Sequence, residues 1–416
     1  MLGITVWRRV LGVDRATVIE RVEVDEGANG VVAHVRPRRD SKRRCGRCGA
    51  PAPLYDRGEG RRRWRTLDLG AVMCFLEADA PRVHCSEHGP TVAQVPWARH
   101  GASHTRDFDD TAAWLVTHTP KSAVSELLRI AWRTVGSIVD RVVADGRASH
   151  DPFEGLRRIG IDEISYKKGH RYLMIVVDHD TARLVWAGIG RDKKTLEGFF
   201  DLLGTKRCKT IRLVSADAAQ WITDVVNDRC KRATLCTDGF HVVQWATDAL
   251  DDVRREVWNT ARRQGMKTYA KELKGARYAL WKNPEDLTQR QVAKLSWISA
   301  ANTRLYRAYL LKEQLRVAIR LKGPRAIAMI HAWCAWAQRC RIPAFVDLAR
   351  RIRKNLPGIE AAMRHGLSNA LIESTNTKIR VLHRIAFGFK KPEHLVALAL
   401  LDRGGYCPPL PVRTAA

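Results

Sequence analysis

"LRRIGIDEISYKKGHRYLMIVVDHDTARLVWAGI", residues 156–189, contains three runs rich in apolar and β-branched side chains, separated by "KKGH" and "DHDT". Runs of this kind, divided by turn-forming residues, predict three antiparallel strands in a meander. Asp162 lies inside the first run, between apolar neighbours. A carboxylate on a buried strand needs a partner, so the stretch indicates a fold and a functional site together.

Helical and strand patterns alternate after the meander. A helical pattern ends at Gly204, and two later segments each have the pattern of a strand that leads into a helix, "TIRLVSADAAQW" (210–221) and "ATLCTDGFHVVQWATDALDDVRREVW" (233–258). A meander followed by this alternation is the element order of a ribonuclease-H-like α/β domain. In that order Asp162 and Asp217, at the end of the next core strand, lie side by side.

The segment 233–258 also carries polar residues where its strand meets its helix, Asp238 and His241. Asp238 is either a further acidic ligand or the N-cap of the following helix, and the second role is the commoner one. His241 either contacts a phosphate or packs in the core.

A third acid stands in "NALIESTNTKIR", residues 369–380, whose other charges are basic. Leu371, Ile372, Ile379 and Leu382 recur at helical spacing, so the segment predicts an amphipathic helix with Glu373 beside its buried face. Neighbouring carboxylates repel each other unless a divalent cation offsets the repulsion. Two Mg²⁺ or Mn²⁺ ions held by Asp162, Asp217 and Glu373 suit phosphoryl transfer.

The charge balance indicates a polyanionic partner. The 416 residues include 72 Lys and Arg against 44 Asp and Glu, a formal net charge of +28. Basic side chains distributed along a chain suit nucleic acid, because each neutralised phosphate releases counterions. A basic surface that serves only solubility is the alternative.

The sequence also predicts where the protein works. It has no apolar window long enough for a membrane span, and Arg8 and Arg9 interrupt its apolar start. We therefore expect a cytoplasmic, nucleoid-associated protein with reduced cysteines.

The first 95 residues predict a zinc-binding module. Two alternating runs, 16–24 and 30–38, predict a hairpin. Cys45 and Cys48 are followed by Cys85 and His88 with the same two-residue gap, which suits a structural Cys3His zinc site. His84 is an alternative fourth ligand, Cys74 is interpreted as a buried thiol, and a redox pair is the competing interpretation. Two arginine-rich runs, 36–44 and 58–66, are candidates for phosphate contacts.

Residues 96–150 predict a helix-turn-helix. Three helical patterns follow one another, with apolar faces that include Val124, Leu127 and Leu128 in the second helix. The third helix would point Arg133, Thr134 and Ser137 into a major groove, with Arg141 as a further candidate. A plain three-helix bundle would show the same faces. Residues 145–152, "DGRASHDP", predict a linker.

Several of these segments resemble one known family. "IGIDE" (159–163), "VSADAAQW" (214–221), "TDGFHVVQWATDALDDVRRE" (237–256) and "SNALIESTNTKIRVLHRIAFGFKKPEHLVALAL" (368–400) are similar to the DDE transposases of the ISL-three insertion-sequence family. The resemblance covers nearly the whole chain. It implies a zinc-ribbon-like pair of knuckles, a helix-turn-helix, and Asp162, Asp217 and Glu373 as the DDE triad.

The resemblance also implies a helical insertion between the second and third acids, and helical periodicity over residues 249–365 matches it. We therefore expect a multidomain α/β protein with this order: zinc module 1–95, helix-turn-helix 96–150, ribonuclease-H-like core 151–248, all-helical insertion 249–365 and core completion 366–416.

The expected function is that of a transposase. It would bind the terminal inverted repeats of its element, cleave them with Mg²⁺ and join the ends to target double-stranded DNA, with Arg380 near the acids and at least two copies on the DNA. The alternatives are a DNA-binding regulator or domesticated remnant without catalysis, and a stand-alone nuclease of the same fold.

Overall fold

The structure is a computed structural model that describes residues 3–25, 27, 30–39 and 43–411. Its chain contacts divide it into two compact units, 1–152 together with 379–416, and 153–378. The turn of the predicted hairpin and part of the arginine run 36–44 lie outside the described residues. Within those residues, no helix is both long and apolar enough to cross a membrane.

The first unit contains two small sheets and a set of helices. Its elements are α1 Ile4–Val10, β1 Thr17–Asp25, β2 Gly30–Pro37, β3 Leu54–Asp56, β4 Arg61–Leu69, β5 Val72–Asp79, β6 Arg82–Cys85, β7 Gly89–Val92, α2 Arg106–Val116, α3 Lys121–Leu127 and α4 Trp132–Ser149, joined near the C-terminus by α17 Pro392–Arg403. The predicted pairing of β1 with β2 is present and antiparallel.

The two sheets of this unit differ in strand order and in the residues that they position. One has the order β1-β2-β5-β4 and covers a core that includes Trp64 and the buried thiol of Cys74, and the other has the order β3-β6-β7. Trp64 packs edge-on against Trp97, with 5.5 Å between the ring centroids. The small sheet carries Cys85 at the end of β6 and so positions the second knuckle.

Helix α4 differs from the sequence prediction at its C-terminal end. Residues 145–152 are predicted to be a linker, but the helix continues to Ser149. Gly146 is tolerated there because the ring of Tyr406 packs against it, and a Cβ on Gly146 would lie 2.6 Å from Tyr406 Cδ1. The prediction was wrong for residues 145–149, where a contact from the distant C-terminal segment supports the helix, and residues 150–152 are outside any helix.

The predicted inward face of α3 also needs a correction. Val124 and Leu128 are buried, but Leu127 is 65% exposed. The helix has only seven residues and ends at Leu127, so its last residue turns away from the seam that Val124 and Leu128 share.

The second unit has a five-stranded mixed sheet with helices after it. Its elements are β8 Arg158–Lys167, β9 Arg171–Asp178, β10 Leu184–Ile189, α5 Lys193–Leu203, α6 Thr205–Cys208, β11 Leu213–Ala216, α7 Gln220–Arg229, β12 Thr234–Thr237, α8 Gly239–Arg263, α9 Lys267–Lys274, α10 Arg277–Trp281, α11 Gln289–Ala301, α12 Thr303–Arg320, α13 Pro324–Arg339, α14 Pro343–Lys354 and α15 Leu356–His365, with a 3-10 turn at Pro284–Asp286. Helix α16, Ala370–Ile385, begins in this unit, and its residues from Ile379 onward are assigned to the first unit.

The sheet has the order β10-β9-β8-β11-β12. Strands β8, β9 and β10 form the predicted antiparallel meander, and β11 and β12 add to it in parallel with β8. This is a ribonuclease-H-like sheet, so the predicted fold class is confirmed.

The predicted all-helical character of residues 249–365 agrees with α8 to α15. These helices have a core of their own, which includes the fully buried Trp333 and Phe345. The indole N–H of Trp333 donates to the carbonyl oxygen of Leu311 at 2.8 Å, so the ring joins α13 to α12.

Candidate metal-dependent active site

Three acids lie at one level across three neighbouring parallel strands. The register pairs Leu213 of β11 with Arg158 of β8 and with Thr234 of β12. The last pairs are Ser215 with Gly160 and Ala216 with Thr237, so the same register continued to Asp217 sets it level with Asp162 on one side and with Asp238 on the other. Neighbouring strands lie about 4.8 Å apart, so the sheet itself brings these carboxylates together.

Burial raises the pKa of two of these acids. Desolvation is the main reason that the pKa of Asp162 is raised, and the nearby charge of Asp217 acts in the same direction. Burial likewise raises the pKa of Asp238, which is 5% exposed. A group of carboxylates that resists ionisation attracts a cation, because a bound cation favours the charged forms.

His241 is the basic side chain within this group. Its Nε2 lies 2.5 Å from Oδ1 of Asp217 and 3.7 Å from Oδ2 of Asp238. The contact with Asp217 raises the pKa of His241. For His241 the sequence offered a phosphate contact or packing in the core, so this contact with the acids is a role that the sequence did not name.

Asp238 is also the N-cap of α8. Its Oδ1 accepts a hydrogen bond from the backbone N–H of Phe240 at 3.2 Å. This is the role that the sequence favours, and it fixes the carboxylate beside Asp217.

Helix α16 is attached to the strand that carries Asp162. Nδ2 of Asn376 donates to Oδ2 of Asp162 at 2.7 Å. Ile372 packs directly over Gly160, where a Cβ would lie 2.8 Å from Ile372 Cγ1 and 2.8 Å from Nε2 of His179. Gly160 and Asp162 share a strand face, so the helix needs a glycine there to reach the acid.

Glu373 is close to these two contacts in the helix but makes neither of them. It is exposed, follows Ile372 directly and stands three residues before Asn376, so Glu373 and Asn376 are neighbours on the helix surface. Glu373 lines one pocket together with Asp238. In the part of the chain that the structure describes, the acids do not form a closed cluster whose oxygens all lie within 4.8 Å of one another.

The donor atoms around Glu373 fit a hard divalent cation. Asn369 and Asn376 are 2% and 4% exposed, and the Oδ1 atom of each is buried without a hydrogen-bond partner. Carboxylate and amide oxygens are the ligands that magnesium takes. The unpartnered oxygen of Asn376, whose amide nitrogen donates to Asp162, therefore suits a cation near that acid, whereas Asn369 lines the pocket beside Glu373.

Other acids of the region have structural partners. Glu163 forms an ion pair with Arg191. Asp178 accepts from the backbone N–H of Asp180 at 3.0 Å and from the hydroxyl of Thr181 at 2.5 Å, which describes a turn. These contacts give Glu163 and Asp178 structural roles.

The predicted zinc ligands form one cluster. One ligand atom from each of Cys45, Cys48, Cys85 and His88 lies within 4.8 Å of all the others. Nδ1 of His88 is 3.6 Å from the sulfur of Cys85, and this contact lowers the pKa of that thiol to about 6. His84 is exposed and does not belong to the cluster. Three sulfurs and one imidazole suit tetrahedral zinc.

The predicted DNA-reading residues lie on the outer side of α4. Arg133 and Ser137 are exposed and Thr134 is half-buried. Arg141 has a different role, because its Nε donates to Oδ2 of the fully buried Asp109 at 3.0 Å. Arg380, on α16, is exposed.

Sequence reasoning did not single out Gly160 or the pairing of His241 with Asp217. A lone glycine inside a strand pattern does signal a bulge or a close approach by another element, but it does not name the partner. The histidine also had a signal, since it stands three residues after a strand-end aspartate, one helical turn into α8.

Family comparisons match three consecutive parts of the chain. Residues 41–88 match a zinc finger of the transposases IS204, IS1001, IS1096 and IS1165, residues 93–143 match a helix-turn-helix domain of transposase family ISL3, and residues 159–399 match the transposase model of ISL3.

Similar whole proteins are known. The transposase for insertion sequence element IS1557 of Mycobacterium tuberculosis, found in two strains, is 57% identical over an alignment of 436 positions, which covers 99% of this chain and 98% of the relative. The transposase for insertion sequence element IS1001 of Bordetella parapertussis is 26% identical over 355 residues, 84% of this chain and 86% of the relative.

The zinc-ligand cluster, the three helices after it and the acid-bearing sheet occur in the order of these three family models, and the similarity to whole transposases extends over nearly the full length. The chain belongs to the ISL3 family of insertion-sequence transposases.

Proposed function

We propose that this transposase cleaves the terminal inverted repeats of its own element and joins the freed 3′-hydroxyls to target DNA by a DDE mechanism. Asp162, Asp217 and Glu373 hold two Mg²⁺ or Mn²⁺ ions. The observation that carries the proposal is the hydrogen bond from Asn376 to Asp162, because it ties the helix of Glu373 to the strand of the first acid.

Each side chain of the site has a part in this chemistry. When bound, the metal pair activates a water or a 3′-hydroxyl and stabilises the leaving oxygen. The hydrogen bond from Asn376 to Oδ2 of Asp162 fixes the orientation of the whole carboxylate, including Oδ1. His241 holds a proton at Nε2 or Nδ1 beside Asp217, which offsets the acid repulsion in the absence of metal.

The first unit supplies DNA recognition in this proposal. Arg133, Thr134 and Ser137 contact the major groove of the repeat, while the zinc ribbon and its arginines contact backbone phosphates. Arg380 holds DNA near the catalytic acids. The active form is a homodimer or a larger assembly on two transposon ends, at the nucleoid. We also propose that the chain has five parts, 1–95, 96–150, 151–248, 249–365 and 366–416.

A DNA-binding regulator or remnant without catalysis is the competing function, and a stand-alone nuclease is another. A remnant has no need to keep Asp162, its hydrogen bond from Asn376 and an unpartnered oxygen on the same asparagine. A nuclease would share the acids but would cut DNA without selecting repeat ends.

The deciding experiment measures Mg²⁺-dependent cleavage and strand transfer on DNA that flanks the coding region. Asp162→Asn and Glu373→Gln should each lower the cleavage rate by more than the roughly 10- to 100-fold that loss of an outer-shell partner costs. Their affinity for the repeat DNA should not change. Glu393→Gln is the matched control, because Glu393 is an exposed glutamate in the first turn of α17 as Glu373 is in α16.

Two results would contradict the proposal. Cleavage by Glu373→Gln at the wild-type rate would remove Glu373 from the site. A wild-type protein that binds the repeats and never cuts them with Mg²⁺ or Mn²⁺ would favour the regulator.

A further inference from the structure

A pocket of about 240 Å³ opens beside Glu373 and Asp238. Its walls come from the start of α8, the end of α12, α15 and the start of α16, and all of them belong to the second unit. Most of the wall is apolar, including Ile359, Met363 and Leu367. Chemistry on a phosphodiester does not require such a space, so its position next to the acids needs another explanation.

An uncovered aromatic ring forms one side of this pocket. Phe240 lines it and is 60% exposed, although its backbone N–H is fixed by Asp238. An exposed phenylalanine held on the first turn of a rigid helix offers a flat apolar surface at low cost in conformational entropy. Unpaired bases stack on such rings with little dependence on their sequence.

A buried acceptor points to a hydrogen-bonding ligand. Asn369 lines the same pocket, is 2% exposed, and its Oδ1 has no hydrogen-bond partner. A buried polar atom without a partner costs free energy unless a ligand or water satisfies it. The amino and imino groups at the edge of a nucleobase are donors for such an oxygen.

Cationic side chains complete the pocket. Arg320 and Lys322 follow one another closely at the end of α12, and both line it. Arg320 also forms an ion pair with Glu285 at 2.8 Å, whereas Lys322 is an exposed side chain that suits a phosphate. The pocket thus combines an apolar wall, a stacking ring, a buried acceptor and a cation.

We propose that this pocket binds one unpaired nucleobase of the DNA strand that is processed at the acids. The inference rests on the proposed function and extends it, since it names the conformation of the substrate. A volume of about 240 Å³ takes a single base but not a base pair. Removing a base from the stack costs little at a duplex end or a mismatch, so the pocket selects frayed or distorted ends.

Binding of one base outside the helix has a consequence for catalysis. The sugar that carries the base is fixed close to Glu373 and Asp238, and the neighbouring phosphodiester is then held at the acids. Positioning of this kind accelerates phosphoryl transfer without any further catalytic group.

The test compares the affinity of the full-length protein for two short duplexes of one sequence. One duplex is fully paired and the other carries a single unpaired thymidine. Anisotropy is measured at low salt with Ca²⁺ in place of Mg²⁺, so that cleavage does not enter. We expect about tenfold tighter binding of the unpaired duplex, as one stacked base predicts.

Two variants locate the effect. Phe240→Ala should remove most of the preference and leave the affinity for the paired duplex unchanged. Tyr278→Ala is the matched control, because Tyr278 is a 61% exposed aromatic residue on α10 that does not line the pocket; this variant should keep the preference. Both side chains are exposed, so neither change threatens folding.

Photo-crosslinking provides the second measurement. A 4-thiothymidine at the unpaired position should crosslink to a peptide that contains Phe240 or residues 359–373. Equal affinity for the two duplexes, or crosslinks confined to other peptides, would overturn the inference. Since the readout needs no cleavage, a wild-type protein that cuts DNA but shows no preference would refute only the pocket. A protein that shows the preference but never cuts would refute only the proposed function.

Discussion

Asn376 and Ile372 hold α16 against β8 through two different kinds of contact. Asn376 donates to the carboxylate of Asp162, and Ile372 packs over Gly160 two residues earlier in the strand. The hydrogen bond sets the rotation of the helix, and the apolar contact sets its distance from the sheet. Glu373 lies between these two residues in the helix, so both contacts determine its position.

Gly160→Ala tests this arrangement. The added methyl would meet Ile372 and His179 at distances that ordinary Cβ atoms do not reach, so α16 must move away from β8. Overpacking of this kind costs about 1–3 kcal/mol of stability. A shift of about 1 Å at an active site can cost about 100-fold in rate, so we expect a large fall in cleavage rate with modest loss of stability.

The compensating change is the control for Gly160→Ala. Ile372→Ala removes the α16 side chain that the new methyl meets and leaves only the contact with His179, so the double variant should cleave faster than Gly160→Ala alone. Equal rates for the single and double variants would show that the distance of α16 does not depend on this contact.

The candidate acids could be predicted at residue scale because each sits in a local pattern, a carboxylate in or after an apolar strand. The role of Gly160 could not be predicted in this way. Its cause is a side chain more than two hundred residues away, and no local pattern in β8 reports it. The same is true of the hydrogen bond between Asn376 and Asp162, whose partners are 214 residues apart.

At the scale of elements, the zinc ribbon depends on its ligands more than on its core. The apolar cluster around the knuckles is small and includes Cys45, Ala52, Val83 and Cys85. Two of these residues are themselves ligand candidates. A core of this size stabilises little by itself, so metal binding must contribute to folding.

Removal of the metal should therefore unfold the ribbon locally. We expect one zinc per chain by metal analysis and loss of this zinc in Cys85→Ser. Cys74→Ser is the matched control, because Cys74 is a buried cysteine outside the cluster, and it should keep the zinc. A full zinc content in Cys85→Ser would contradict the ligand assignment.

Two of the three arginines of helix α4 have opposite roles. Arg133 is exposed, whereas Arg141 contacts the buried Asp109 with Nε and Nη2 at 3.0 and 3.3 Å. Burial raises the pKa of Asp109, which indicates how costly the charge is without its partners. Helical spacing predicted the helix itself, but it could not separate a DNA-facing arginine from one that neutralises a buried acid.

Substitution of each arginine by alanine should separate recognition from stability. Arg133→Ala should weaken binding to the terminal repeat by about 1–3 kcal/mol and leave the melting temperature unchanged. Arg141→Ala should destabilise the protein by about 3 kcal/mol, because it leaves a buried carboxylate with fewer partners. Binding and thermal unfolding of both variants give the result, and a lower melting temperature for Arg133→Ala would contradict its exposed position.

At the scale of the whole molecule, element order could be predicted from periodicity, and it was enough to identify the five-stranded sheet. The level alignment of Asp162, Asp217 and Asp238 follows from strand register, which a sequence pattern does not contain. The extension of α4 to Ser149 and the docking of α16 depend on distant contacts as well. Local sequence patterns therefore do not predict the long-range contacts that assemble the site.

The net charge of +28 is a property of the whole chain, and it leads to a prediction about DNA affinity. If the charge serves phosphate contacts, each contact releases counterions, and the logarithm of the binding constant falls with the logarithm of salt by about 0.9 per phosphate. We expect a slope of about −5 or steeper for both repeat and unrelated duplexes, measured by anisotropy between low and physiological salt. Repeat duplexes should differ in affinity from unrelated duplexes at every salt concentration. Both kinds of duplex should share this slope, because base contacts release few ions. A slope shallower than about −2 would mean that the positive charge serves solubility and not DNA binding. That result would not bear on the assignment of the catalytic acids.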